Sequence, residues 1–264
     1  MADMKSYGQF CSIAKALEVV GERWTLLILR ELICGGSRFN EIHHGVPRIS
    51  PSLLSKRLGF LESEGIIERV GTTGGFQLTA AGWELKPVVE LLGVWGQRWA
   101  RGRLEDDDFD PDLLMWDIRR RIAVEKLPPE RICLCFAFTN APQEKASYWL
   151  LGSSDGVELC VTDPGHDVDL FITTDVRTMT RVWNGDLPLA EKIEDGSIDL
   201  HGQTSLRRKF PSWLQLGIFA HVAPAVDGGM RRESEPPAIS PPPAPSPEEP
   251  NPDRPGRRQG SAAR

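Results

Sequence analysis

The stretch ISPSLLSKRLGFLESEGIIERV, residues 49–70, decides how the first part of the chain is read. Ser50 followed by Pro51 is a helix start. The hydroxyl can accept from the first free amides, and the proline ring lacks an N–H where none is needed. Leu54, Leu58 and Leu61 step by four and three residues, so they share one side of a helix and face a core. Leu53 and Phe60 widen that stripe. The opposite side carries Ser52, Ser55, Lys56 and Arg57, hydroxyls and cations that burial of the leucines does not require. Gly65 ends the helix, and residues 66–70 turn strand-like.

Reading outward, residues 39–43 form a short helix and Gly45-Val46-Pro47 a turn. Residues 76–79 are a second strand, joined to the first by GTTGG. Helices are expected over 11–20 and 24–33, the second ended by Gly35-Gly36. A short helix, a turn, a helix with an exposed polar start and a glycine-tipped hairpin make a helix-turn-helix with a wing. The second helix of such a motif fits a DNA major groove about 12 Å wide. Its positive N-terminal end favours phosphate. The expected DNA contacts are Arg38, Arg48, Ser50, Ser52, Ser55, Lys56 and Arg57 around the two helices, and Arg69, Thr72 and Thr73 on the wing.

Downstream, Leu85, Val88, Leu92, Trp95 and Trp99 step by 3, 4, 3 and 4, a heptad-like seam for a second copy of the chain or for the domain's own core. Pro87 either kinks a continuous helix here or starts a new one. A twofold dimer would place two recognition helices about 34 Å apart, one DNA turn, or a multiple of it.

The 264 residues carry a formal net charge of −6, which alone would argue against a nucleic-acid partner. The charge is uneven, however. Residues 1–103 hold 13 Lys and Arg against 10 Asp and Glu, residues 104–225 hold 12 against 21, and residues 226–264 hold 6 of each. The division is a winged helix-turn-helix and dimerisation domain over 1–103, an acidic linker over 104–111, an α+β domain over 112–225 and a disordered tail over 226–264. Ten prolines in the tail's 39 residues leave too little apolar surface to offset chain entropy. No segment approaches the ~20 apolar residues of a membrane span, and residues 1–10 lack a secretory apolar core. Five cysteines without framework spacing point to a reducing cytoplasm.

The motifs CSIAKALEVVGERWTLLILREL, RFNEI, ISPSLLSKRLGFLESEGIIER and FQLTAAGWELKPVVELLGVW occur in that order and together resemble the HxlR-type winged-helix regulators of bacteria. The usual Gly-Gly-Lys-Trp-like turn is Gly21-Glu22-Arg23-Trp24 here, and the wing's closing Tyr-x-Leu-Thr-like strand is Phe76-Gln77-Leu78-Thr79. The resemblance implies a homodimer that binds partly palindromic double-stranded DNA and regulates nearby genes. It also implies a possible oxidant sensor at Cys11, with Lys15 one turn on; a buried structural cysteine is the competing reading.

Residues 112–225 read as a helix over 113–127, strands near 132–139, 146–151, 157–161, 168–173 and 198–201, and helices over 175–183, 188–194 and 206–219. DVDLFITTD, VWNGDL and EDGSIDLHGQ resemble the sterol-carrier-protein fold. That implies an effector pocket for a lipid or other small apolar ligand, with Trp149, Phe171, Trp183, Trp213 and Phe219 as its lining. The competing reading is that these aromatics are plain core. Cys133-x-Cys135 lacks a second ligand pair for metal, His43-His44 suits phosphate or solvent better than metal, and no nucleophile–base pair or paired carboxylates stand out. The sequence therefore predicts no metal, no cofactor and no catalysis. A lipid carrier, or an enzyme using the second domain, is the alternative.

Overall fold

The computed structural model describes residues 6–71 and 74–225. The expectations placed on Thr72, Thr73 and the tail from residue 226 lie outside the described residues. The first domain comprises helices Ser12–Val20 (α1), Thr25–Ile33 (α2), Phe39–Gly45 (α3) and Pro51–Ser63 (α4). They are followed by strands Ile67–Val70 (β1) and Gly75–Leu78 (β2), then helices Ala80–Glu84 (α5) and Lys86–Trp99 (α6).

Local chemistry sets these boundaries. Ser50 Oγ accepts from the Leu53 amide at 3.3 Å, with Pro51 in the first turn. Gly65 closes α4 at φ +69, a conformation that disfavours any residue with a Cβ. Leu54, Leu58 and Leu61 are buried with Ile28, Leu29 and Ile42 of α2 and α3 and with Ile67 and Phe76 of the hairpin. Each fully buried leucine contributes about 1.5–3 kcal/mol. The β1–β2 hairpin is antiparallel and pairs Ile67 with Leu78. It is tied to the helices by the Phe76 amide, which donates to the Ser37 carbonyl at 2.7 Å. Pro87 lies in the first turn of α6, so it starts a new helix rather than kinking an old one.

The second domain begins with helix Pro111–Arg119 (α7) and builds a five-stranded sheet from Ile132–Phe138 (β3), Ser147–Ser153 (β4), Gly156–Cys160 (β5), Leu170–Thr174 (β6) and Asp199–Gly202 (β7). The order is β5-β4-β3-β6-β7, with β3 and β6 parallel and the other pairs antiparallel. Helices Val176–Trp183 (α8), Leu189–Glu194 (α9) and Thr204–Trp213 (α10) complete it. Strand alternation sends Ile132, Leu134, Phe136 and Phe138 into one core with residues of α7, α8 and α10. Cys133 and Cys135 take the other face. The architecture is thus a helical winged domain followed by an α+β domain.

Two expected helices are shorter in the structure. The one expected over 113–127 ends at Arg119, because Ile122 pairs with Leu214 and the Ala123 amide donates to the Trp213 carbonyl. The one expected over 206–219 ends at Trp213 for the same reason. Long-range pairing satisfies the backbone there and overrides helix propensity. Residues 214–225 instead run as a strap between the domains. The Gly217 amide donates to the Trp183 carbonyl and the Ala225 amide to the Arg98 carbonyl. Among the described residues no helix is long and apolar enough to cross a membrane.

Candidate nucleic-acid interface

With Leu54, Leu58 and Leu61 locked inward, the exposed face of α4 presents Ser52, Ser55, Lys56 and Gly59. These positions step by 3, 1 and 3 residues and form one continuous strip. Gly59 was not singled out in the sequence, although its place seven residues after Ser52 marks it. A Cβ there would meet nothing within 4 Å, so the strip is open. Ser50 caps the helix and lies 3.3 Å from the Ser52 hydroxyl. α3 packs on α7, and the polar strip of α4 stays exposed with both domains present.

The cations around this strip are held differently. Among the described residues neither Lys56 nor Arg38 has a carboxylate partner, and both are exposed. Arg38 starts α3, where Glu41 accepts from the Arg38 and Ser37 amides at 3.0 and 2.9 Å. Burial would raise the Glu41 carboxyl, but those two amides hold it below its ordinary value. The Arg57 side chain is mostly buried, 16% exposed, and pairs with Glu22 at 2.5 Å. Glu22 lies in the turn where the sequence departs from the family pattern. Arg69 donates to Glu62 at 3.2 Å and lies 4.9 Å over the Phe76 ring. Arg48, in the helix-turn-helix turn, donates to the Asp107 carbonyl of the acidic segment. His43 is partly buried and His44 is exposed. His43 Nε2 lies 3.0 Å from the Ile49 carbonyl oxygen, and the His44 ring packs at a tilt against Trp116 of α7, centroids 5.0 Å apart.

Residues 19–103 match the family model described as an HxlR-like helix-turn-helix. An uncharacterised HTH-type transcriptional regulator of Mycobacterium tuberculosis is 40% identical over 136 residues, 45% of this chain and 84% of that protein. This chain belongs to the HxlR-like family of helix-turn-helix transcriptional regulators. The uncharacterised regulator YvaP of Bacillus subtilis is 33% identical over 90 residues, covering 32% of this chain and 83% of YvaP. A crystal structure of quinone-bound YodB from B. subtilis is 34% identical over 33% of this chain and 96% of that one, with a TM-score of 0.30.

Among the described residues nothing covers the apolar stripe of α6. Val88, Leu92, Trp95 and Trp99 are exposed, Trp95 at 56%, and Leu91 is more open still at 69%. Leu85 departs from the expected seam. It precedes α6 and packs against the core of its own domain, and Leu91 extends the exposed stripe instead. Tyr7, Phe10, Ile13 and Leu17 form a second exposed apolar set at the N-terminal end. Cys11 is exposed at the start of α1 rather than buried. Lys15 points to Glu18, at 2.9 Å, and not to the thiol.

Of the five aromatics expected to line one pocket, only Trp183 and Phe219 border a common cleft; Trp149, Phe171 and Trp213 do not. Trp213 is fully buried and Trp183 nearly so, both in the domain core. Trp149 and Phe171 flank Cys135 on adjacent strands, on the opposite face of the sheet, and Phe171 is 40% exposed. Phe219 is on the strap and packs on Gly93 of α6, where a Cβ would fall inside its ring. A strand repeat of two assigns Trp149 and Phe171 to a face, but only the tertiary fold says which face holds the core.

Proposed function

We propose that this chain binds operator DNA as a homodimer, reading the major groove with α4, and that its α+β domain carries an effector response. The exposed strip Ser52, Ser55, Lys56, Gly59 carries the reading. Three small residues and one cation allow close approach of the helix to base edges and phosphates. Arg38 and Lys56 supply uncommitted charge, and Arg48, Arg57 and Arg69 supply charge that must first leave its present partner. Thr72 and Thr73 belong to the wing tip in the same reading. The net negative charge of the chain does not oppose this, because phosphate attraction acts within about a Debye length, ~8 Å at physiological salt.

In the dimer, the stripe Val88, Leu91, Leu92, Trp95, Trp99 meets its twofold copy. An apolar stripe of this kind, left in water on a monomer, is a liability that self-association removes. The same reading makes the cytoplasm the site of action and Cys11 an accessible thiol for oxidant sensing. It places a small-molecule response in the second domain, which touches both α2 and α6.

The test is fluorescence anisotropy with a labelled duplex from upstream of the chain's own coding sequence, titrated at several salt concentrations. Specific binding that saturates at two chains per site, with a Lys56→Ala variant whose log–log salt slope is smaller by about 1, supports the reading. Unchanged affinity and unchanged slope for Lys56→Ala combined with Ser52→Ala and Ser55→Ala would take α4 out of the interface.

A further inference from the structure

Between the two domains lies a cleft of about 150 Å³. One side is formed by α2 and α6, with Arg30 and Gln97. The other is formed by the end of α7, by α8 and by the strap, with Arg120, Arg121, Trp183 and Phe219. Its charge is not balanced. Arg30 and Arg120 share the buried Glu31 carboxylate, and Arg120 also pairs with Asp117 at 3.0 Å. Arg121 has no carboxylate partner among the described residues. Its Nε donates to the Leu216 carbonyl at 2.6 Å, and among the described residues its terminal nitrogens have no hydrogen-bond partner. Three guanidiniums against two carboxylates leave one positive charge, and it rests at Arg121. The Nε of Arg120 is also buried without an acceptor. Trp183 and Phe219 line the cleft beside these donors.

We infer that this cleft is a binding site for a small aromatic monocarboxylate, its carboxylate on Arg121 and its ring against Trp183 and Phe219. The volume sets the size, since a cavity of roughly 150 Å³ accommodates one benzene-sized ring. The surplus guanidinium sets the charge, because a planar fork with free N–H groups matches a carboxylate. A purely apolar ligand would leave that charge unanswered.

The site deepens the effector role proposed above and rests on it. Its walls belong to both domains, so a bound ligand favours one juxtaposition of them. Phe219 packs on Gly93, and Gln97 Nε2 donates to the Asn184 carbonyl at 2.8 Å, so both walls bear on α6. That helix carries the proposed dimer stripe, and its setting fixes the spacing of the two recognition helices.

The experiment is isothermal titration of the full chain with benzoate, phenylacetate and 4-hydroxybenzoate, with benzyl alcohol and acetate as controls. At least one aromatic carboxylate is expected to bind once per chain, and roughly tenfold or more tighter than either control. Arg121→Gln is expected to weaken it by a similar factor. Ile218→Glu, which places a like charge at an exposed position of the lining, should do the same without disturbing the core. No binding by any of the three acids overturns the site, as does equal binding of benzyl alcohol or wild-type affinity in both variants. Operator affinity is measured on the same samples without ligand. DNA binding without acid binding sinks only the site, and acid binding without DNA binding sinks only the regulator reading.

Discussion

The Glu31 carboxylate receives Arg120 Nη2 at 2.8 Å, joining α2 of the winged domain to the end of α7 in the α+β domain, 89 residues further along. Arg30 reaches the same carboxylate at 2.7 Å, and Trp116 Nε1 donates to it at 3.3 Å. The Glu31 side chain is 1% exposed. A carboxylate buried this fully is tolerated only because two cations and an indole N–H replace its water.

Glu31→Ala removes the carboxylate that Arg30 and Arg120 share, leaving Arg120 with Asp117 and Arg30 with only the Gly45 carbonyl. The expected loss of stability is about 3–5 kcal/mol, read by urea unfolding of the full chain. A loss below about 1 kcal/mol would show that the cluster does not hold the domains together.

Gly45→Ala adds a methyl group where the Glu31 carboxylate already lies. Overpacking of this kind costs about 1–3 kcal/mol. A double-mutant cycle gives a sharper reading: the cost should largely vanish in the Glu31→Ala background, where the space is empty. Additive losses would mean that Gly45 matters for another reason.

Glu22→Gln removes the carboxylate that holds Arg57. Because Glu22 is itself 46% exposed, stability should change by less than about 1 kcal/mol. Operator affinity should rise instead, with the log–log salt slope steeper by about 1 as Arg57 joins the phosphate contacts. A weaker complex would show that the pair positions Arg57 for its base or phosphate, and that freeing it loses more than it gains.

Trp95→Glu combined with Leu91→Glu places charge in the exposed stripe of α6. Sedimentation velocity should then report a monomer with an intact circular dichroism spectrum and much weaker operator binding. Leu85→Ala is the control. It should lower stability through lost core packing while leaving the assembly unchanged.

Thiol labelling should separate the cysteines. Burial, with smaller contributions from the nearby Cys133 and Asp163, pushes Cys135 up to about 11, and burial also raises Cys133. At pH 8 a thiol with such a value is about one part in a thousand thiolate. The exposed Cys11 should therefore react with iodoacetamide first in the native protein, with Cys133 and Cys135 last. Peptide mass mapping over a time course reads the order, and early modification of Cys135 would contradict its burial.

Short-range rules in the sequence determined much of this protein. The leucine spacing of α4, its Ser-Pro start and Gly65 depend on contacts within a few residues, so they survive in the bare string. The family motifs and the α+β order of the second domain were legible for the same reason. Other features belonged to the tertiary structure alone. Arg57 meets Glu22 across 35 residues, Leu85 turns to its own core, and two expected helices stop where Ile122 pairs with Leu214. The five aromatics had a plausible common purpose as a string, yet the sheet puts Trp149 and Phe171 on one face and the core on the other. The cleft between the domains left no local trace, because its charge balance is set by Arg30, Arg120 and Arg121, brought together from residues some ninety positions apart. A periodicity fixes which residues share a face; only packing of distant segments decides what that face meets and which charges remain unanswered.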